Sequence, residues 1–112
     1  MWTIRSKGES LDSNKRQKIL NLLGIAQRAG SLISGEELVV AAIQNGQARL
    51  IYLASDAAPN LSKKITDKSR TYTVDVVTAF STLELSTAIG KSRKVIAVTD
   101  AGFTKKMRSI ME

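Results

Sequence analysis

The feature that most constrains the fold of this chain is a regular alternation. Short apolar runs of strand length are each separated from the next by a longer segment whose apolar residues recur at helical spacing. The clearest runs are Leu50-Ile51-Tyr52-Leu53-Ala54 and Val95-Ile96-Ala97-Val98. Successive side chains of a strand point to opposite faces of a sheet, so a run that is apolar at every position has to be covered on both faces. Val74-Asp75-Val76-Val77 reads as a third main strand and Ser31-Leu32-Ile33 as a short one.

Between them the period changes to that of a helix. Ile19, Leu22, Leu23, Ala26 and Ala29 share one face of a segment closed by Gly30. A second helix opens at Ser34-Gly35-Glu36-Glu37, carries Leu38, Val39, Ala42 and Ile43 as its stripe, and ends at Asn45-Gly46. Pro59-Asn60 precedes a third, with Leu61, Ile65 and Tyr72 directed inward and Lys63, Lys64, Lys68 and Arg70 outward. Ser81 to Ile89 is a fourth helix, and Phe103, Met107, Ile110 and Met111 mark a last one. Strands alternating with helices through short connections predict a single-domain, three-layer α/β/α sandwich with a small mixed, largely parallel sheet. Residues 1–13 lack periodicity and read as a flexible leader, which leaves 14–112 as the domain.

At 112 residues there is room for one core. The absence of Cys and His removes thiolate metal sites, disulfides and the commonest general base, and with them most hydrolytic and redox mechanisms. No metal or cofactor is expected. No run is long enough to span a bilayer and the start has no signal-peptide apolar stretch, so a cytoplasmic protein without membrane contact is expected. Seventeen Lys and Arg against ten Asp and Glu give +7, which favours polyanionic partners.

Few strings carry chemistry. Gly90-Lys91-Ser92 resembles the end of a phosphate-cradling loop, but Leu85 stands where the pattern needs glycine, and the order here is helix then strand. Asp56 and Asp100 each follow a buried strand and could meet at one sheet edge as a magnesium site; helix capping or a turn is the plainer reading. Ser34 with Glu37, and Ser81 with Glu84, have capping-box spacing. Gly35 would at the same time leave a helix start open to a phosphate or base edge. In Gly90-Lys91-Ser92-Arg93-Lys94, three cations share one tight connection, which suits either a solvated turn or phosphate contacts by Lys91 and Arg93.

At these two segments the chain resembles the L7Ae family of kink-turn-binding ribosomal proteins, and within it the small bacterial YlxQ branch. The resemblance runs from about Asn14 to Glu112. It is carried by Leu23-Gly24-Ile25-Ala26-Gln27-Arg28-Ala29-Gly30, Ser34 to Val39, Ala48 to Ala57, Leu85 to Arg93 and Ala97 to Phe103. It implies a protein that clamps a sharply bent RNA internal loop containing tandem sheared G·A pairs. The start of the second helix, with Gly35, Glu36 and Glu37, would enter the groove there, and Ile89, Gly90, Lys91, Ser92 and Arg93 would pack on extruded bases. Where relatives carry an Asn-Glu pair and a Lys one turn later, this chain has Glu37, Leu38 and Ala41. Ser86 replaces a glycine common in the family.

The expectation is therefore a non-catalytic, monomeric RNA-binding protein, ribosome-associated or bound to a structured messenger or regulatory RNA. Its contacts would come from Ser34, Gly35, Glu36, Glu37, Leu38, Ile89, Gly90, Lys91, Ser92 and Arg93, with Arg28, Lys63 and Lys64 neutralising phosphates. The rivals are a protein-interaction module of the same fold and a magnesium-dependent enzyme using Asp56 and Asp100.

Overall fold

A computed structural model describes residues 3–4 and 11–112. Its elements are β1 (Thr3–Ile4), α1 (Ser13–Arg28), β2 (Leu32–Ser34), α2 (Glu36–Gln44), β3 (Leu50–Leu53), α3 (Pro59–Thr71), β4 (Asp75–Val77), α4 (Thr82–Ile89), β5 (Val95–Val98) and α5 (Ala101–Met111). The strands form one sheet in the order β1-β4-β3-β5-β2. Residues alternate across it as the continuous apolar runs require. Leu50, Tyr52, Ile96 and Val98 join the core under α1, α4 and α5, while Ile51, Leu53, Val95 and Ala97 join the core under α2 and α3. The predicted α/β/α sandwich is thus present, with all of β3 and β5 buried.

The sheet is mixed, but parallel pairs do not dominate it. β1 and β3 run parallel to β4, whereas β5 is antiparallel to both β3 and β2. Alternation of strand and helix fixes the layers, not the direction of each strand. Val77 pairs with Tyr52 and Val95 with Leu53, so β4 ends and β5 begins at the same end of the sheet, with α4 between them. That end also receives the C-terminus of β2, because Ser34 pairs with Ile96.

The expected leader is also revised. Residues 1–2 and 5–10 lie outside the described residues. Thr3–Ile4 supplies an edge strand, Leu11 is in the core at 8% exposure, and Asp12 caps α1 by accepting from the Lys15 amide at 2.8 Å. The folded chain begins before the boundary expected after residue 13. Tyr72, expected inside, is 46% exposed because α3 ends at Thr71 and Tyr72 serves as its C-cap.

The far side of the sandwich is fastened by Arg16 of α1. Its guanidinium lies 4.8 Å over the Phe80 ring, donates to the Ala79 carbonyl at 2.9 Å, and binds both carboxylate oxygens of Glu84 at 2.7 and 2.6 Å. Glu84 is also half of a complete capping box with Ser81. Burial pushes the Glu84 carboxyl up, but the Ser81 amide and Arg16 outweigh it and hold the group below the usual glutamate value.

Candidate nucleic-acid interface

The topology brings the two sequence-selected segments to one end of the sheet. β2 delivers Ser34 and Gly35 there, and the connection from α4 to β5 delivers residues 90–94. They meet directly, since Arg93 donates from Nε to the Ser34 hydroxyl at 3.2 Å and the Gly35 amide donates to the Val95 carbonyl at 3.1 Å. A second Arg93 donor reaches the Ser92 carbonyl at 2.8 Å. Three of the five guanidinium N–H donors remain for a ligand among the described residues.

Gly35, rather than Ser34, is the N-cap of α2. It sits at φ +98°, ψ 148°, and no side chain caps the helix. The capping box expected of Ser34 and Glu37 does not form, because Ser34 is the last residue of β2 and its hydroxyl serves Arg93. The first bond of the helix runs from the Val39 amide to the Gly35 carbonyl at 2.9 Å. The amides of Glu36, Glu37 and Leu38 are therefore left facing outward, as the unsatisfied start of any uncapped helix is. Leu38 beside them is 65% exposed, an apolar side chain with no core role.

On the other segment Gly90 takes a left-handed conformation, φ +80°, and closes α4. That turn sends Lys91 and Ser92 into solvent. Ser86 then holds the loop in place: its hydroxyl accepts from the Arg93 amide at 3.0 Å and donates to the Arg93 carbonyl at 3.1 Å. Nothing in the local sequence pattern marks Ser86 as this latch, because it acts across the turn on a residue seven positions away. Ile89, which the resemblance sets against extruded bases, faces inward. It is 7% exposed and lies one turn from the fully buried Leu85, on the face of α4 that packs on the sheet.

The outlying cations divide. Lys64 on α3 reaches across to Glu36 at 2.9 Å and so joins the site from a neighbouring helix. Lys63 pairs within α3, with Asp67 at 3.1 Å, and no hydrogen bond or ion pair ties it to either segment. Arg28 ends α1 and lines the groove between α1 and α4, again without a bond to either segment.

The acidic pair does not assemble. Because β3 and β5 are antiparallel, Asp56 after β3 and Asp100 after β5 emerge at opposite ends of the sheet. Asp56 accepts from the Thr82 amide and hydroxyl at 2.9 and 2.7 Å, and the Thr82 hydroxyl chiefly holds its carboxyl below the usual aspartate value. Asp100 caps α5 through the Phe103 amide at 2.8 Å. Both do structural work, and no group of three or more potential metal ligands exists among the described residues.

An uncapped helix start thus lies latched beside a cationic loop at one end of a mixed sheet. Residues 17–108 match the Ribosomal protein L7Ae/L30e/S12e/Gadd45 family. The chain belongs to that family. Among its L7Ae-family relatives, the RNA-binding protein YlxQ of Enterococcus faecium is 45% identical over 102 residues, covering 91% of this chain and 99% of the relative. The RNA-binding protein YlxQ of Bacillus subtilis (strain 168) is 45% identical over 92 residues, covering 81% and 92%. A protein of unknown function from Bacillus halodurans C superposes with a TM-score of 0.80 at 46% identity, covering 84% of this chain and 96% of that one. The Giardia lamblia 15.5kD RNA binding protein superposes with a TM-score of 0.78 over 95% of this chain and 91% of its own at only 16% identity, which speaks to the shared L7Ae fold alone.

Proposed function

We propose that this L7Ae-family chain is a non-catalytic RNA-binding protein that recognises a kink-turned RNA. In this reading it acts in the cytoplasm as a monomer, on the ribosome or on a structured messenger or regulatory RNA. The observation that carries the reading is the Arg93–Ser34 bond, which fixes the open start of α2 against the cationic loop. The RNA-binding name of the YlxQ relatives and the net charge of +7 support it.

In this reading Gly35, lacking a side chain, lets a base edge approach the first turn of α2. Glu37 accepts from base amino groups, Leu38 packs on a base or sugar face, and Arg93 and Lys91 take phosphates. Lys64 holds Glu36 and adds positive charge nearby. Ser92 and Gly90 shape the loop, with Arg28 and Lys63 contributing only long-range attraction.

The test is a titration of a kink-turn RNA against the same RNA with its sheared G·A pairs converted to Watson–Crick pairs. Tighter binding of the first, with log affinity falling by about 0.7–0.9 per unit of log salt for each phosphate contact, is expected. Equal binding of both RNAs would remove the kink-turn claim, and no binding of either would remove RNA.

A further inference from the structure

On the opposite layer from α2 lies a surface that RNA contact by the helix start and loop does not use. α1 and α4 pack closely because Gly24 has no side chain: a Cβ there would stand 3.0 Å from the Ala88 carbonyl oxygen. Their close approach leaves a groove of about 680 Å³, with Leu20 and Ile25 on one wall and Leu83 and Ala88 on the other. Leu83 is 76% and Ile25 45% exposed. Aliphatic side chains this open, lining one concave surface, mark a contact site more often than a stray exposed residue does. Ile25 and Asn21 also line a second, more apolar hollow of about 380 Å³ between α1 and α5, with Leu22 and Ile110. The ridge of α1 is thus flanked by apolar grooves on both sides.

The rim is positive. Arg28 borders the first groove, Lys18 and Lys106 the second, and no ion pair among the described residues engages any of the three. The acid that lines the surface, Glu84, is already bound to Arg16. From Gln17 to Arg28 the ridge spans about 16 Å at roughly 1.5 Å per residue, enough for three turns of a docked helix.

We propose that the α1/α4 face, extended over α1 to α5, is a docking site for an amphipathic helix of a partner protein whose apolar stripe is flanked by Asp and Glu. The stripe would seat on Leu83, Ile25 and Leu20, and the acids would meet Arg28, Lys18 and Lys106. A nucleic acid fits this face less well, since Leu83 and Ile25 offer a phosphate backbone nothing to replace its hydration. The site is independent of the RNA reading, and both ligands could be held at once.

The experiment uses the full chain and a labelled 14-residue peptide with Leu at i, i+3, i+4 and i+7 and Glu on the flanks. Its controls are the same peptide with every Glu changed to Lys and a scrambled order of the original. Binding of the acidic peptide at least tenfold tighter than either control is expected, with amide shifts confined to Gln17–Arg28, Leu83–Ala88 and the neighbouring turns of α5. The surface variant Leu83→Gln with Ile25→Gln should lose at least tenfold in peptide affinity and retain kink-turn RNA affinity. Equal binding of the acidic and basic peptides, or no binding, would overturn the proposal. So would loss of RNA affinity in the double variant, which would give the groove to RNA. A concentration-dependent dimer abolished by the same variant would give it to a second copy of the chain and equally overturn it.

Discussion

Replacing Gly35 by alanine separates what the backbone at the start of α2 does for stability from what it does for a ligand. Gly35 has φ +98° and ψ 148°, a region essentially closed to L-residues because Cβ collides with the flanking backbone. Space is not the obstacle, since the nearest atom to an added Cβ is Arg93 Nε at 3.8 Å. The cost is therefore backbone strain, about 1–3 kcal/mol. For a domain of this size that lowers the melting temperature by about 4–12 °C, at roughly 4 °C per kcal/mol.

Part of the strain will be relieved by rotating the Gly35 peptide, which turns the first amides of α2 and shifts the Ser34 hydroxyl under Arg93. Kink-turn RNA affinity should then fall at least tenfold, about 1.4 kcal/mol. Gly46→Ala is the matched control: φ there is +83°, an added Cβ meets nothing within 4 Å, and the residue lies after the far end of α2. Calorimetric melts and RNA titrations of both variants decide the matter. Both should melt earlier, and only Gly35→Ala should lose RNA. If Gly35→Ala melts with the parent protein, the strain argument is wrong; if it melts early yet binds RNA like Gly46→Ala, the helix start is not a contact.

Three further outcomes follow from the same geometry. Ser86→Ala removes both hydrogen bonds that latch the loop to α4; stability should drop by about 1–2 kcal/mol and RNA affinity should fall even though Ser86 touches no ligand, with unchanged affinity counting against loop preorganisation. Glu37→Gln should strengthen binding to the Watson–Crick control RNA while narrowing its difference from the kink-turn RNA, and a widened difference would contradict the base-reading role. Glu84 titrates below its ordinary value, so the stability it adds is whole above that value and disappears as the pH falls through the lowered one. Glu84→Gln should accordingly be less stable than the parent at neutral pH and converge with it in acid, and a constant gap from neutral to acid in urea melts would refute the linkage.

The layers of the fold were legible because β3 and β5 are apolar at every position, a pattern only a doubly covered strand tolerates. Strand direction was not legible. Nothing in Ser81 to Ile89 says that α4 returns the chain to the end of the sheet it left, and the rival reading that brought Asp56 and Asp100 to one edge fails on that, while the plainer reading of capping or turn formation holds. Local signals of capping succeeded for Ser81 and Glu84 and failed for Ser34 and Glu37 for a tertiary reason, since Arg93 takes the Ser34 hydroxyl. Ile89 was set against extruded bases by the family resemblance, though its spacing from Leu85 already placed it on the buried face. Lys64 was selected as a phosphate-neutralising cation on the outer face of α3, and its reach to Glu36 depends on a packing of α2 against α3 that no spacing reveals.

Two glutamates at the open start of a helix look wrong for an anion site, and magnitudes show which way they tilt it. The helix dipole favours a phosphate by about 0.3–1 kcal/mol. A carboxylate 4 Å from that phosphate opposes it by about 4 kcal/mol at an effective dielectric near 20. Lys64 offsets Glu36 at 2.9 Å, but no ion pair among the described residues offsets Glu37. By these figures the carboxylate outweighs the dipole, which in the proposed reading makes the first turn of α2 a poorer phosphate cradle and a better acceptor for base amino groups. In that reading phosphates would fall to Lys91 and Arg93 on the adjoining loop. In the proposed reading, the Arg93–Ser34 bond would couple a base-reading surface to a backbone-holding one. A bent RNA would satisfy both at once, because a sharp bend brings paired bases and the phosphates of a displaced strand towards the same end of one sheet.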